Sequence, residues 1–219
     1  MKLNLRPLCL HVVLGATLAA ALSACAPLMI GGAVMTGFMA VDRRTTGAQV
    51  EDEGIERRAS SRINTHLGDR VHVNVTSYNR QMLLTGEVPS EQDKQLVEQV
   101  VSRVENVRAI INELAVLGHS TLTQRSSDAL VTGRVKSGLI DSTDLVASAF
   151  KVVTERGTTY LMGRVTLREA DRGTDIARNT GGVQKVVRLF EIITEEELQE
   201  LMPQPSPGEA KRNSAARPQ

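Results

Sequence analysis

Aromatic side chains are scarce in this 219-residue chain, with three Phe, two Tyr and no Trp. That scarcity argues against base-stacking platforms and against ring-lined sugar grooves. Cysteine is as rare: only Cys9 and Cys25 occur. A bias of charge is missing too, because 26 Lys plus Arg stand against 25 Asp plus Glu for a net +1. No bulk cationic field therefore draws the chain to nucleic acid, and an acidic partner has to be met by a local patch. The remaining composition, 41% hydrophobic and 23% charged, is that of a globular protein. The length allows one large or two small domains, each with a modest core, and disfavours a big enzyme fold.

The first residues are organised differently from the rest. Lys2 and Arg6 precede an uncharged run from Leu8 to Ala21, followed by Leu22-Ser23-Ala24-Cys25. Residues 1–24 read as a secretory signal peptide. The ending resembles the lipobox of bacterial lipoproteins, which implies that the Cys25 thiol is diacylated and becomes the new N-terminus. Acyl chains there would contribute about 0.8 kcal/mol per buried CH₂. An uncleaved transmembrane helix is the rival reading, since Pro7 to Val41 carries no Asp, Glu, Lys or Arg. That run is longer than the roughly 20 residues a span needs, and Gly31, Gly32 and Gly37 interrupt it. With Cys9 removed and Cys25 lipidated, no disulfide can form in an exported chain, so stability must come from packing. Ala26, rather than Asp, follows the Cys; in lipoproteins of this kind that implies the outer membrane. Residues 25–50 are then the lipidated Cys and a tether, whose apolar, Gly-rich part either lies near the bilayer or is a plain linker. Residues 196–219, with Pro203, Pro205 and Pro207, read as a disordered tail.

Between these ends lies an internal repeat. Leu84-Thr85-Gly86-Glu87-Val88 recurs as Leu161-Met162-Gly163-Arg164-Val165. Ile55, Ala59, Ile63 and Leu67 form one face of a helix opened by Glu51-Asp52-Glu53, an acidic run that suits the helix dipole. Val71, Val73 and Val75 alternate with polar residues, and Ser77-Tyr78-Asn79-Arg80 turns the chain into Gln81 to Val88 as a hairpin. Ser90-Glu91-Gln92-Asp93 is a capping box before Leu96, Val97, Val100, Val101 and Val104, and Val107 to Val116 returns as a strand. The unit is α-β-β-α-β. The second copy runs as a helix from about Gln124 to Ile140, strands Phe150 to Thr154 and Thr159 to Val165, a helix opened by Thr166-Leu167-Arg168-Glu169, and a strand from Val183 to Ile193. Adjacent apolar residues in the second strand, Leu83-Leu84 and Tyr160-Leu161, predict that both sheet faces are covered, one by the helices and the other by the neighbouring domain.

This pattern resembles the BON-domain family, and most of all its dual-domain outer-membrane lipoproteins. The residues that carry the likeness are Asp52, Ile55, Val75, Gly86, Val88, Val107, Asn112 and Leu114, then Asp128, Val131, Val135, Val152, Gly163, Val165, Val183 and Phe190; Asp42-Arg43-Arg44 with Gly47 also fits. The second copy departs in having Arg188 for Asn112 and Gly181-Gly182 for Glu105-Asn106. The resemblance implies an α/β (α+β) protein of two tandem domains, 51–117 and 118–195, each a small mixed three-stranded sheet with two helices on one face. It also implies a lipid-anchored, periplasm-facing outer-membrane protein that binds anionic phospholipid and supports envelope integrity, with no catalysis and no cofactor. The alternative is a protein-interaction module that assists outer-membrane protein assembly. A cell-wall or small-ligand binder would need a polar cleft between the domains.

Candidate sites are few. Gly86 and Gly163 allow close backbone approach, but a bend or a small residue under a packed helix explains them more simply than a ligand does. His66, Asp69 and His72 are metal-type residues, but they run from a helix end through a turn, lack a closed ligand set and do not recur, so no metal is expected. His119 reads as a solvated linker residue. No nucleophile stands in a recognisable elbow, and no catalytic residue is assigned. The informative element is the first helix of the second copy. Aligning Asp52-Ile55-Ala59 with Asp128-Val131-Val135 puts Val131, Val135 and Leu139 on the core stripe and leaves Leu130 outside it. Leu130 lies with Arg134, Ser126, Gly133 and Ser137, whose mostly small side chains would admit a surface, while Arg125 and Lys136 lie on the other flank. The first copy has Gly54 in place of Leu130. These residues are the expected lipid contact; packing of Leu130 against the first domain or the linker is the competing account.

Overall fold

The computed structural model describes residues 42–201. The residues read as a signal peptide, Cys25, the apolar stretch up to Val41 and the residues beyond Leu201 lie outside them.

Helix α1 spans Thr46–Leu67 and buries Asp52, Ile55, Ala59, Ile63 and Leu67, the apolar stripe expected from the spacing plus one acid. It starts within the stretch read as tether, because Thr45 caps it by accepting the Ala48 amide at 3.1 Å. Its first turn holds no acid, so Glu51-Asp52-Glu53 lies too far into the helix to serve its dipole. Asp52 has another task. Strands β1 (His72–Tyr78) and β2 (Gln81–Val88) form an antiparallel hairpin. Its turn needs two left-handed residues, Asn79 (φ 48°) and Arg80 (φ 66°). The Asp52 carboxylate accepts the amides of both, each at 2.7 Å, and the Ser77 hydroxyl at 2.7 Å. Helix α2 (Glu91–Val101), capped by Ser90, leads to β3 (Ala109–Asn112), which runs parallel to β2. The single returning strand expected here is broken. Pairing stops at Asn112, whose side chain accepts the Leu114 amide at 3.3 Å, and resumes as β4 (Ala115–Val116) beside the same β2. The kink drops Leu114 into the core.

The second copy repeats the plan. Helix α3 (Leu122–Ile140) opens on a full capping box, Thr121 with Gln124. Strands β5 (Phe150–Glu155) and β6 (Thr158–Val165) turn at Arg156 (φ 51°) and Gly157 (φ 73°), whose amides Asp128 accepts at 2.8 and 3.0 Å. Helix α4 (Leu167–Arg178) opens on the Thr166–Glu169 box, and β7 (Lys185–Ile192) pairs with β6 along its whole length. With Arg188 in place of Asn112 nothing bends β7, and the strand stays continuous. Residues 195–201, mostly assigned to a disordered tail, form a short helix, α5 (Glu195–Leu201). Thr194 and Glu197 cap it reciprocally, at 3.2 and 2.8 Å. The left-handed exit from the second helix of each copy falls on Asn106 (φ 65°) and Gly182 (φ 102°), so the departure there keeps the backbone.

Each sheet has two helices on one face, and each domain has its own core, centred on Ile55, Leu84 and Val97 in the first and Val135, Leu161 and Ala170 in the second. The opposite sheet faces pack on one another. Tyr78 and Leu83 from one sheet and Tyr160 and Met162 from the other form a third buried cluster, joined by Ile111, Val187 and Leu189. The paired apolar residues in β2 and β6 are therefore required on both sides. The repeated glycines are architectural: a Cβ at Gly86 would stand 2.1 Å from the His72 carbonyl oxygen, and one at Gly163 2.4 Å from that of Ala149.

Candidate functional site: the outer face of helix α3

Helix α3 turns Val131, Val135 and Leu139 into the second core and leaves Leu130 63% exposed. Leu130 is therefore not buried against the first domain among the described residues. Ser126, Gly133, Arg134 and Ser137 are exposed with it, as is Lys136. Two further apolar side chains lie on this outer face, Leu122 (79% exposed) and Ile140 (70%). Eighteen residues separate them, 140 − 122, which is five whole turns at 100° per residue, so they share one angular position. Both sit at the helix ends, where the residue spacing alone does not fix how far the helix extends. The stripe from Leu122 through Ser126, Leu130, Gly133 and Ser137 to Ile140 holds no charged residue.

The first copy supplies an internal comparison on the same backbone. Aligned by its Asp, α1 presents Thr46, Val50, Gly54, Arg57, Ser61 and Asn64 at those places. Arg57 there pairs with Glu53 at 3.6 Å, both side chains largely exposed. The cations of α3 are partly engaged. Arg134 donates to the Gly181 carbonyl at 3.3 Å, as Arg58 does to that of Glu105 at 3.4 Å in the first copy, so Arg134 also braces the end of the neighbouring helix. Arg125 donates to the Ser120 hydroxyl at 3.1 Å.

Other polar groups serve the domain boundary. Glu87 is fully buried in β2 and meets His72 at 2.9 Å and Arg156 of the other domain at 3.4 Å. Burial opposes its ionisation, but the hydrogen bonds from His72, Ser120 and Arg156 prevail and hold its carboxyl below the usual range. Glu155 accepts from Asn74 across the boundary at 2.9 Å, and burial pushes its carboxyl up. His72 thus points to Glu87, while His66 bonds the Arg62 carbonyl at 2.8 Å. His119 is exposed, 3.4 Å from the Arg70 carbonyl. A cleft between the domains, lined by Tyr78, Arg108, Gly163, Phe190 and Glu191, has a volume of about 190 Å³. Small-molecule sites usually take about 300 Å³ or more.

Two αββαβ units with an Asp-clamped hairpin and a Gly in the middle strand define the class, and the chain belongs to the BON domain family, whose model matches residues 51–118 and 127–194. Among individual proteins, it is 34% identical over 186 residues to the outer membrane lipoprotein DolP of Haemophilus influenzae, covering 84% of this chain and 95% of that one. It is 31% identical over 155 residues to a 21 kDa hemolysin of Actinobacillus pleuropneumoniae, covering 70% and 80%. A solved structure of CdsD, a structural protein of the type III secretion system of Chlamydia trachomatis, aligns at 14% identity with a TM-score of 0.28, over 68% of this chain and 98% of that one. At that score the likeness carries no argument.

Proposed function

We propose that this protein is an outer-membrane lipoprotein, anchored through Cys25 on the periplasmic side, whose second domain lays the outer face of α3 on anionic phospholipid and so supports the envelope. The observation that carries this reading is the uncharged stripe of α3 with exposed Leu122, Leu130 and Ile140, where α1 has Thr46, Gly54 and Asn64 at those three places and a stripe whose one exposed aliphatic is Val50 and whose one charge is Arg57. The relationship to a protein named as an outer membrane lipoprotein supports the anchoring. Lipid contact needs no cavity. Arg125, Arg134 and Lys136, against Asp128, contribute roughly 1 kcal/mol each near an anionic surface. Burying one Leu that is still about two-thirds exposed adds roughly 1–2 kcal/mol. Such contacts are weak singly, and the acyl anchor makes them intramolecular, at high effective concentration.

The test is sedimentation of the lipid-free domain pair with phosphatidylglycerol vesicles. Leu130→Glu is expected to weaken binding about 5- to 30-fold, by the 1–2 kcal/mol above, while the melting curve stays put. Val135→Glu, at the buried face of the same helix, is expected to unfold the domain. A folded Leu130→Glu with unchanged binding would move the lipid site elsewhere. Wild-type protein that ignores anionic vesicles would favour the interaction-module reading.

A further inference from the structure

We infer that the chain leaves the folded body on its second domain, and that the end of this domain beside the exit, carrying Leu167 and Ile140, lies against the bilayer. The inference rests on the lipid-anchored reading above and adds an orientation to it. Asp42, Arg43 and Arg44 precede the first domain in sequence, yet Arg43 crosses to the second. Its guanidinium donates twice to the Glu169 carboxylate, both at 2.7 Å, and once to the Arg164 carbonyl at 2.9 Å. The Arg164 guanidinium returns a bond to the Arg43 carbonyl at 3.2 Å. The ion pair is sealed, with side chains 5% and 3% exposed. Arg44 goes the other way, donating to Asp52 of the first domain at 2.6 Å and standing 4.4 Å over the Tyr78 ring. The strap is therefore fixed at both domains. Whatever lies upstream starts from α4, and Cys25 is 17 residues away (42 − 25), at most about 60 Å of extended chain.

What stands at that exit is apolar. Glu169 is the third residue of α4, and Leu167, the first, is 60% exposed. Nothing in the helix start calls for a Leu there, since Thr166 and Glu169 already complete the cap. The first copy puts Glu91 at the matching place after Ser90, an acid that suits a helix N-terminus. The segment after Ile140 folds back onto the same turn: the Asp144 carbonyl accepts from Arg168 at 3.3 Å and its carboxylate meets Arg172 at 3.5 Å. Arg168 and Arg172 are balanced by Asp141 and Asp144, so contact at this end runs through apolar side chains and is insensitive to salt. The occupant that fits is the interfacial layer of the membrane to which the upstream chain is bound.

The experiment uses the full-length lipidated protein in phosphatidylcholine/phosphatidylglycerol vesicles carrying a lipid-borne quencher. One fluorophore is placed in turn at Leu167→Cys, Leu130→Cys and, as a first-domain control, Ser61→Cys. Quenching at 167 is expected to exceed that at 61 several-fold and to persist in high salt. Arg43→Met is expected to bring 167 down toward the control, in protein that circular dichroism shows to be folded. If 130 is quenched and 167 is not, the membrane reading stands and the orientation is wrong. If neither is quenched on vesicles that hold the protein, both fall. Quenching at 167 that survives Arg43→Met would overturn the part assigned to the strap.

Discussion

Replacing Asp52 by Ala removes the hub of the first domain's hairpin, and the cost can be worked from its partners. Asp52 is 1% exposed, and its carboxylate takes four hydrogen bonds, from Arg44, the Ser77 hydroxyl and the amides of Asn79 and Arg80. Bonds to a charged group contribute about 1.5–3 kcal/mol each, and they do not add, because the loosened turn recovers some water. Breaking a buried ion pair at one partner costs about 3–5 kcal/mol, and we take that range for Asp52→Ala. Asp128 takes two amides and no cation, so Asp128→Ala is expected to cost about 2–3 kcal/mol. At roughly 2–4 °C per kcal/mol for a chain of this size, the first variant melts about 6–20 °C lower and the second about 4–12 °C lower. The pH dependence follows from the direction of the shift. Burial resists ionisation of Asp52, yet its hydrogen bonds overcome this and hold the folded carboxyl below its usual range. A depressed folded value gives stability that is complete above the unfolded value near 4 and lost as pH falls through the folded one. Urea titrations at pH 7 and pH 3 test both parts. A loss below about 1 kcal/mol, or a deficit that does not shrink at low pH, would refute the clamp.

Glu155→Gln keeps an acceptor for Asn74 but removes a carboxylate whose folded value burial has raised and which lies near Glu87. Because a raised value means that the ionised form is the costly one, the variant is expected to melt a few degrees higher at pH 7 and to lose this advantage below pH 4, as differential scanning calorimetry would show. Gly86→Ala places a methyl against the His72 carbonyl at a left-handed φ of 112° and is expected to cost more than about 3 kcal/mol in urea titration; a neutral result would mean that the two strands separate easily there.

The helical stripes were legible because burial is periodic. Ile55, Ala59, Ile63 and Leu67 all enter the core, as do Val131, Val135 and Leu139. The doubly apolar β2 and β6 foretold a covered second face. Asp52 and Asp128 were visible as repeated residues, but their task was not, since a carboxylate that reaches over to a hairpin 25 or more residues on leaves no local periodic trace. The break at Glu113 arises from one side-chain-to-backbone bond of Asn112, and the Arg43–Glu169 pair spans 126 residues. Tertiary partners of this kind are invisible to any local pattern. Of the exposed face of α3, Leu130 is legible because the core stripe leaves it out, whereas Leu122 and Ile140 depend on where the helix begins and stops, which the spacing does not fix.

The buried join between the two sheets also has a consequence in time. Leu83 and Tyr78 are covered by Tyr160 and Met162, and the two copies of the strand motif are 77 residues apart (161 − 84). Where export keeps pace with synthesis at roughly 5–20 residues per second, the first sheet precedes its cover by about 4–15 s. Hairpins close in microseconds, so the first sheet can form long before its second face has anything to lie on. During that interval it presents a flat apolar surface to the crowd around it, and a nascent chain cut short after Leu117 would keep that surface permanently. The first half is the sticky precursor and the second half is the release from it.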